Sequence, residues 1–253
     1  MAQFLLINII YSNGKDTMNN LKAIFLATAM VASPAVYAGV ITGGDTLDQN
    51  GANLLEGYLG TGDLDFTNIS NLDAGALAST WHSDVSGYTD VISIYDVVYQ
   101  GTSMLLGGYS SVGHDGSGYT HMAGSANTNF IFNLTTNVVR SSSTGYTDDY
   151  DQRDKPSIFA TFGGGHDLYG GDVCLGCNSG GYMYTYRYGG YSYGGDTQLL
   201  GTGGTTEFFT VVGLESFTFA PAAGSSPVPE PSIIALMSLG LVGLGLSRRK
   251  LKK

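Results

Sequence analysis

The sequence predicts an α+β fold that is mostly antiparallel β, a two-sheet β-sandwich with a few short helices. Three observations point there. The 253 residues are 43% hydrophobic and only 13% charged, which is enough apolar chain for one sizeable core. Glycine (38) and tyrosine (17) far outnumber the 11 Lys and Arg, a composition suited to strands, tight turns and aromatic surface rather than long helices. Between Val91 and Phe219 the apolar residues recur with a period of two, the spacing that turns one face of a strand into a core.

The first element is a leader. From Met18, Met-Asn-Asn-Leu-Lys precedes an apolar stretch from Ala23 to Val36, and Val36-Tyr37-Ala38 before Gly39 is a small-residue cleavage site. Residues 1–38 therefore read as a signal peptide region cut between Ala38 and Gly39, with Met18 as the cleaner start. A first transmembrane helix is the alternative, and the stretch is shorter than the roughly 20 residues a span needs.

Residues 39–220 then read as the folded domain. Leu47, Leu54, Leu55 and Tyr58 mark one short helix; a second follows Asn71 or Asp73 as N-cap and carries Leu72, Ala76 and Leu77 toward Trp81. Val91 to Tyr99 and Ser103 to Tyr109 flank a turn containing Gly101, the pattern of a hairpin with one well-buried arm. Phe130, Phe132 and Leu134 alternate with Asn129, Ile131 and Asn133, as do Ile158, Ala160 and Phe162 with Ser157, Phe159 and Thr161. Phe217 and Phe219 close the series. Residues 141–155 read as a polar loop and 221–231 as a linker.

The C-terminal segment, 228–253, has three parts. Val228-Pro229-Glu230-Pro231 breaks regular structure, Ser232 to Leu246 is an uncharged apolar helix candidate, and Arg248-Arg249-Lys250 opens a basic tail. The apolar run is marginal for a permanent span, and flanking Arg and Lys extend it by snorkelling. A basic tail stays cytoplasmic, which places the domain outside, as the leader also demands. The order of these parts resembles the PEP-CTERM sorting signal of Gram-negative bacteria. That resemblance implies recognition at Pro229-Glu230-Pro231 by a membrane-bound exosortase, which removes the helix and hands the protein to the cell surface or the extracellular polymer. The alternative is an ordinary C-terminal membrane anchor with a proline hinge.

Without the two signals, residues 39–231 hold 20 of the 21 acidic residues and only four basic ones, Arg140, Arg153, Lys155 and Arg187, a net charge of about −16. Such a domain repels phosphate backbones, so nucleic acid is not a partner; cations and basic or neutral sugar surfaces remain open. Solubility alone also accounts for the charge.

A second resemblance covers most of the domain. Trp81-His82-Ser83-Asp84, Leu106-Gly107-Gly108-Tyr109-Ser110-Ser111, Phe130-Ile131-Phe132-Asn133-Leu134, the run from Thr161 to Tyr169, and Val211 to Phe219 follow in the order of a TLDc domain. The most specific segment is Phe162-Gly163-Gly164-Gly165-His166-Asp167-Leu168-Tyr169. The resemblance implies a β-sandwich with a few short helices. The family's eukaryotic roles, in intracellular oxidation resistance and beside the vacuolar proton pump, do not transfer to an exported bacterial chain.

The candidate sites are few. Gly163 to Gly165 permit close backbone approach while Phe162 and Leu168 point into the core, a structural reading; the functional one makes His166-Asp167 an acid/base or metal pair, with no third ligand at a metal spacing. His114-Asp115 with His121 is a weaker metal candidate. Asp148, Asp149, Asp151 and Asp154 lack the glycine and final glutamate of an EF-hand and read as a solvated acidic loop. Cys174-Leu175-Gly176-Cys177 reads outside the cytoplasm as a local disulfide, with free thiols or a redox-active bond as alternatives. Tyr182, Tyr184, Tyr186 and Tyr188 alternate, so in a strand they form one aromatic face that stacks on sugars or grips protein, or else packs on the domain itself.

No nucleophile elbow, zincin motif, P-loop or dinucleotide fingerprint is present, and nothing calls for a cofactor or resident metal. The reading is an exported, non-enzymatic surface or extracellular-matrix protein, processed by an exosortase and binding extracellular polysaccharide or envelope proteins. The alternative is an exported hydrolase or redox protein using His166/Asp167 or the Cys174/Cys177 pair.

Overall fold

The computed structural model describes residues 39–114, 118–120, 128–141, 151–163, 166–177, 181–184, 199–200 and 206–223. They belong to the compact unit Tyr37–Ser226. The leader with Ala38, the motif Val228 to Pro231, the apolar run, Arg248 to Lys250, Gly164, Gly165, Asp115, His121, Asp148, Asp149, Tyr186 and Tyr188 lie outside the described residues.

Helix α1 (Gln49–Leu59) forms because the Asp48 side chain accepts from the Gly51 amide at 2.8 Å and Gly60 ends it at φ 68°. It buries Ala52 and Leu55. Helix α2 (Ala78–Val85) starts later than the sequence suggests, with Leu77 at its N-cap. Asn71 and Asp73 do not cap it. They end strand β2 (Leu64–Asp73), in which Leu64, Phe66, Ser70 and Leu72 are buried and the whole length pairs with the last strand. Nine paired residues outweigh a local capping preference.

The hairpin is formed by β3 (Val91–Tyr99) and β4 (Thr102–Ser110), joined by Gln100 and Gly101 at φ 48° and 80°. Positive φ at both turn residues matches the right-handed twist of the arms. Next come β5 (Gly118–Thr120), β6 (Phe130–Asn133), β7 (Val138–Ser141) and β8 (Gln152–Asp154). The latter part of the expected 141–155 loop is thus a strand with Gln152 and Asp154 buried. The strand expected over Ser157 to Phe162 shrinks to β9 (Thr161–Phe162), because a turn from Lys155 O to Ile158 N at 3.0 Å occupies its start. Then follow β10 (Leu168–Tyr169), β11 (Gly181–Tyr184) and β12 (Thr206–Pro221), which takes the first residue of the expected linker.

Apart from the parallel pair β1 (Ile41–Thr42) and β2, the pairing is antiparallel, so the described residues are mostly antiparallel β with two short helices. The described strands form one twelve-stranded sheet in the order β5-β8-β9-β10-β11-β12-β3-β4-β6-β7, with β2 on β12 and β1 on β2. Hydrogen bonding therefore does not divide it into the two sheets expected from the sequence. The link is β12: Thr206 to Phe209 pair with β11, while later residues pair with β3 and β2 across register shifts at Val211/Gly213 and Ser216/Phe217.

Two buried clusters lie on opposite faces of β3. Ile92 and Ile94 join Leu55, Phe66, Phe132 and Phe217 under α1. Val91, Tyr95 and Val97 join Trp81, Phe162, Leu168 and Phe209 on the other face. There β9 and β10 lie over the hairpin: the Tyr95 hydroxyl donates to Ala160 O at 2.6 Å, and the Phe162 ring fills the space above Gly108. Among the described residues no helix is long and apolar enough to cross a membrane.

Candidate functional site

The strand period sends Leu168 and Phe209 inward and leaves Tyr169, Tyr182 and Phe208 on the outer face of β10, β11 and β12. Register aligns them: Tyr169 faces Tyr182, and Tyr182 faces Phe208. Gly181 makes this possible, since a Cβ there would stand 2.3 Å from the Phe209 ring. Ring centroids are 4.9 Å apart for Tyr169 and Tyr182 (tilt 45°) and 5.9 Å for Tyr182 and Phe208 (tilt 56°), so the row is ridged rather than flat. Phe208 is 61% exposed.

A cationic side chain borders the row. Arg153 on β8 lies across from Tyr119 on β5, its guanidinium 5.2 Å from that ring centre. Its Nη1 donates to His166 Nε2 at 2.6 Å, and its buried Nε has no hydrogen-bond partner. His166 is held at φ 62° and stacked on Tyr169 at 5.0 Å. Its Nδ1 bonds the Tyr182 hydroxyl. Because a guanidinium only donates, Nε2 accepts, the ring proton sits on Nδ1, and Nδ1 donates to Tyr182. The Tyr182 hydroxyl then accepts from His166 and does not donate to it. Burial first, then Arg153 and Lys155, lowers the His166 pKa to about 4, which keeps the ring neutral. Burial, with Asp172 and Tyr182, raises the Tyr169 phenol to about 12, so it stays a donor.

His166 and Asp167 are not brought together as a pair. Both nitrogens of His166 are taken by Arg153 and Tyr182, while Asp167 is buried where a Cβ on Gly163 would meet its Oδ2 at 1.7 Å. Tyr182 is on the aromatic row, and Tyr184 pairs with Thr206 through its backbone. Cys174 and Cys177 are disulfide-bonded, their Cα atoms 5.4 Å apart. Leu175 between them is buried, and the segment is clipped to the residues before α2 by Leu175 N to Ala76 O (2.8 Å) and Ala78 N to Val173 O (2.9 Å). Asp151 and Asp154 are buried rather than solvated, Asp154 on β8 and Asp151 just before it. His114 is buried too, its Nδ1 2.7 Å from Asp154. Among the described residues no three metal-ligating side chains cluster.

Sequence reasoning missed Tyr119, Arg153 and Phe208. Rarity was the signal for Arg153, one of four basic residues in an acidic domain. The Phe208-Phe209 doublet necessarily puts one ring outside if the segment is a strand.

Residues 227–250 match the PEP-CTERM protein-sorting motif. The chain carries an exosortase sorting signal. The signal implies a membrane-anchored precursor, processing by an exosortase, and export with sorting to the cell surface. No curated protein matches the chain.

Proposed function

We propose that the sorted product is a non-enzymatic surface or matrix protein that holds extracellular polysaccharide on the outer aromatic row, Tyr169, Tyr182 and Phe208, with the Arg153-His166-Tyr182 relay at its border. The observation that carries this is the row itself: three aromatic rings in register across adjacent strands, with a phenol hydroxyl at its centre. Pyranose rings offer apolar C–H faces for stacking and hydroxyls that accept from such a donor, and an uncharged polymer is not repelled by an acidic domain. Residues 1–38 serve as the signal peptide, 39–220 as the binding domain in a TLDc-like sandwich arrangement, 221–231 as the linker and 228–253 as the sorting and membrane segment. Stacking of Phe162 on Gly108 across the core supports the sandwich reading, since it brings β9 over β4. An acid/base role for His166 is not favoured, because Arg153 occupies the lone pair a general base needs.

Native gels cast with the host's extracellular polysaccharide test this. The chain is retarded by the polymer, and Phe208→Ala and Tyr182→Ala each weaken the interaction about tenfold, the effect of one lost stacking contact near 1.4 kcal/mol. Phe208 is mostly exposed, so its loss leaves the fold intact. Unchanged retardation in both variants overturns the proposal.

A further inference from the structure

With the leader removed, the domain begins at Gly39, in an acidic part of the chain. Asp45, Asp48, Glu56, Asp63, Asp65 and Asp73 follow it closely, and the first Lys or Arg after it is Arg140. The strand it enters is weakly held: among the described residues β1 pairs only with β2, through Ile41 and Thr42, with the Phe66 amide donating to Val40 O at 2.8 Å. Yet Gly39 itself is buried. A Cβ there would stand 1.7 Å from Leu64 O, so glycine alone permits this approach. The same Cβ position is 3.2 Å from Glu56 Oε1, which puts the Gly39 nitrogen, bonded to the same Cα, within about 6 Å of that carboxylate. Glu56 is fixed in place, because Oε1 accepts from the Leu64 amide at 2.8 Å and its own carbonyl accepts from the C-cap Gly60 amide at 2.9 Å. Asp65 reaches the neighbouring residue, its Oδ1 accepting from Val40 N at 2.8 Å. Two carboxylates, one from α1 and one from β2, thus flank the start of the domain.

We infer that this corner is a binding site for the chain's own new amino terminus: the α-ammonium released at Gly39 seats beside the Glu56 carboxylate and fastens β1 to α1 and to the start of β2. The inference rests on cleavage between Ala38 and Gly39. Hydrolysis of that bond consumes one water, leaves the carboxylate on the departing leader and leaves the amine on Gly39. Before cleavage the nitrogen is a neutral amide, and the two carboxylates face no charge from it. After cleavage it is an amine with an ordinary pKa of about 8, and carboxylates within about 6 Å favour its charged form. The precursor therefore holds its edge strand less firmly than the product, and removal of the leader completes the domain. Capture of an amino terminus by acceptors set in a fold is a known mode of recognition, here turned on the same chain.

The product exported by the native host, wild type and Glu56→Gln, is first weighed intact, which fixes its first residue. Gln keeps an oxygen to accept from the Leu64 amide and removes only the charge. An N-hydroxysuccinimide acetate reagent at about pH 6.5 labels α-amines ahead of lysine, and mass spectrometry of the N-terminal peptide follows the rate in native protein and in concentrated urea. Folding slows acetylation of wild-type Gly39 at least about tenfold. Native Glu56→Gln reacts about fivefold faster than native wild type, while the two react equally in urea. Wild type acetylated in urea and then refolded has an unfolding equilibrium constant about fivefold larger than the unmodified protein. Equal native rates in the two proteins, no slowing on folding, or an unchanged unfolding constant after acetylation overturns the inference and leaves the leader and the polymer-binding row untouched. A first residue other than Gly39 overturns it together with the assigned leader cleavage.

Discussion

Gly108→Ala probes the feature on which the fold depends, the packing of β9 across the hairpin. A Cβ at Gly108 would stand 2.4 to 2.7 Å from three atoms of the Phe162 ring, about 1 Å closer than ordinary carbon contacts allow. Phe162 is fully buried, so the ring cannot swing into solvent. Overpacking of this kind costs about 1–3 kcal/mol, and replacing a strand glycine with alanine returns about 0.5–1 kcal/mol, leaving a net loss near 1–2 kcal/mol. Phe162→Leu alone opens space and costs about 1–2 kcal/mol, below the range for truncation to alanine. In the double variant the new methyl enters the vacated space, so the pair is more stable than the sum of the singles by at least about 1 kcal/mol. Equilibrium urea unfolding followed by Trp81 emission and by far-ultraviolet circular dichroism measures all four proteins, with unchanged m values as the control. Additivity within about 0.5 kcal/mol would refute the packing of Phe162 on Gly108.

Three other outcomes follow from the same geometry. His166 has its pKa lowered from 6.5 to about 4, so between those values the unfolded chain binds more protons and stability falls as pH falls. Because the ring is partly exposed, the screened effect is about 1–2 kcal/mol, and unfolding at pH 7 and pH 4.5 shows the wild type losing that much more than His166→Gln; equal losses contradict it. Removing the Cys174–Cys177 bond with the double Cys→Ser variant costs about 2 kcal/mol, as expected for so short a loop, and an unchanged urea midpoint contradicts a stabilising role. Asp48→Ala removes the α1 N-cap bond and costs about 1 kcal/mol, read as a lower thermal midpoint; no shift would mean the helix end does not depend on it.

The parts of the fold legible in the sequence are those where one local pattern decides the outcome. The Val91 to Tyr99 arm, with its Gln100-Gly101 turn, and the helix capped by Asp48 are of this kind. Strand β2 was not legible: Leu64, Phe66 and Leu72 alternate, but Asn68, Ser70 and Asn71 dilute the pattern, and only pairing with β12 shows that Ser70 is inside. Gln152 and Asp154 read as loop because their burial depends on Ser110 and His114, some 40 residues away. The same holds for the site. Tyr182 was recognisable from its alternation, whereas Arg153 and Phe208 join it only through strand register, which no short-range signal encodes. The His166-Asp167 dipeptide illustrates the limit most sharply, since neighbours in sequence point to different environments once β10 forms.

The most direct test of the account is the intact mass of the protein recovered from its native host, with and without the gene for the exosortase. A product beginning at Gly39, ending near Pro231 and released from the membrane only when the enzyme is present is the predicted result. A species that retains Lys253 in both backgrounds would contradict sorting and leave a permanently anchored protein in its place.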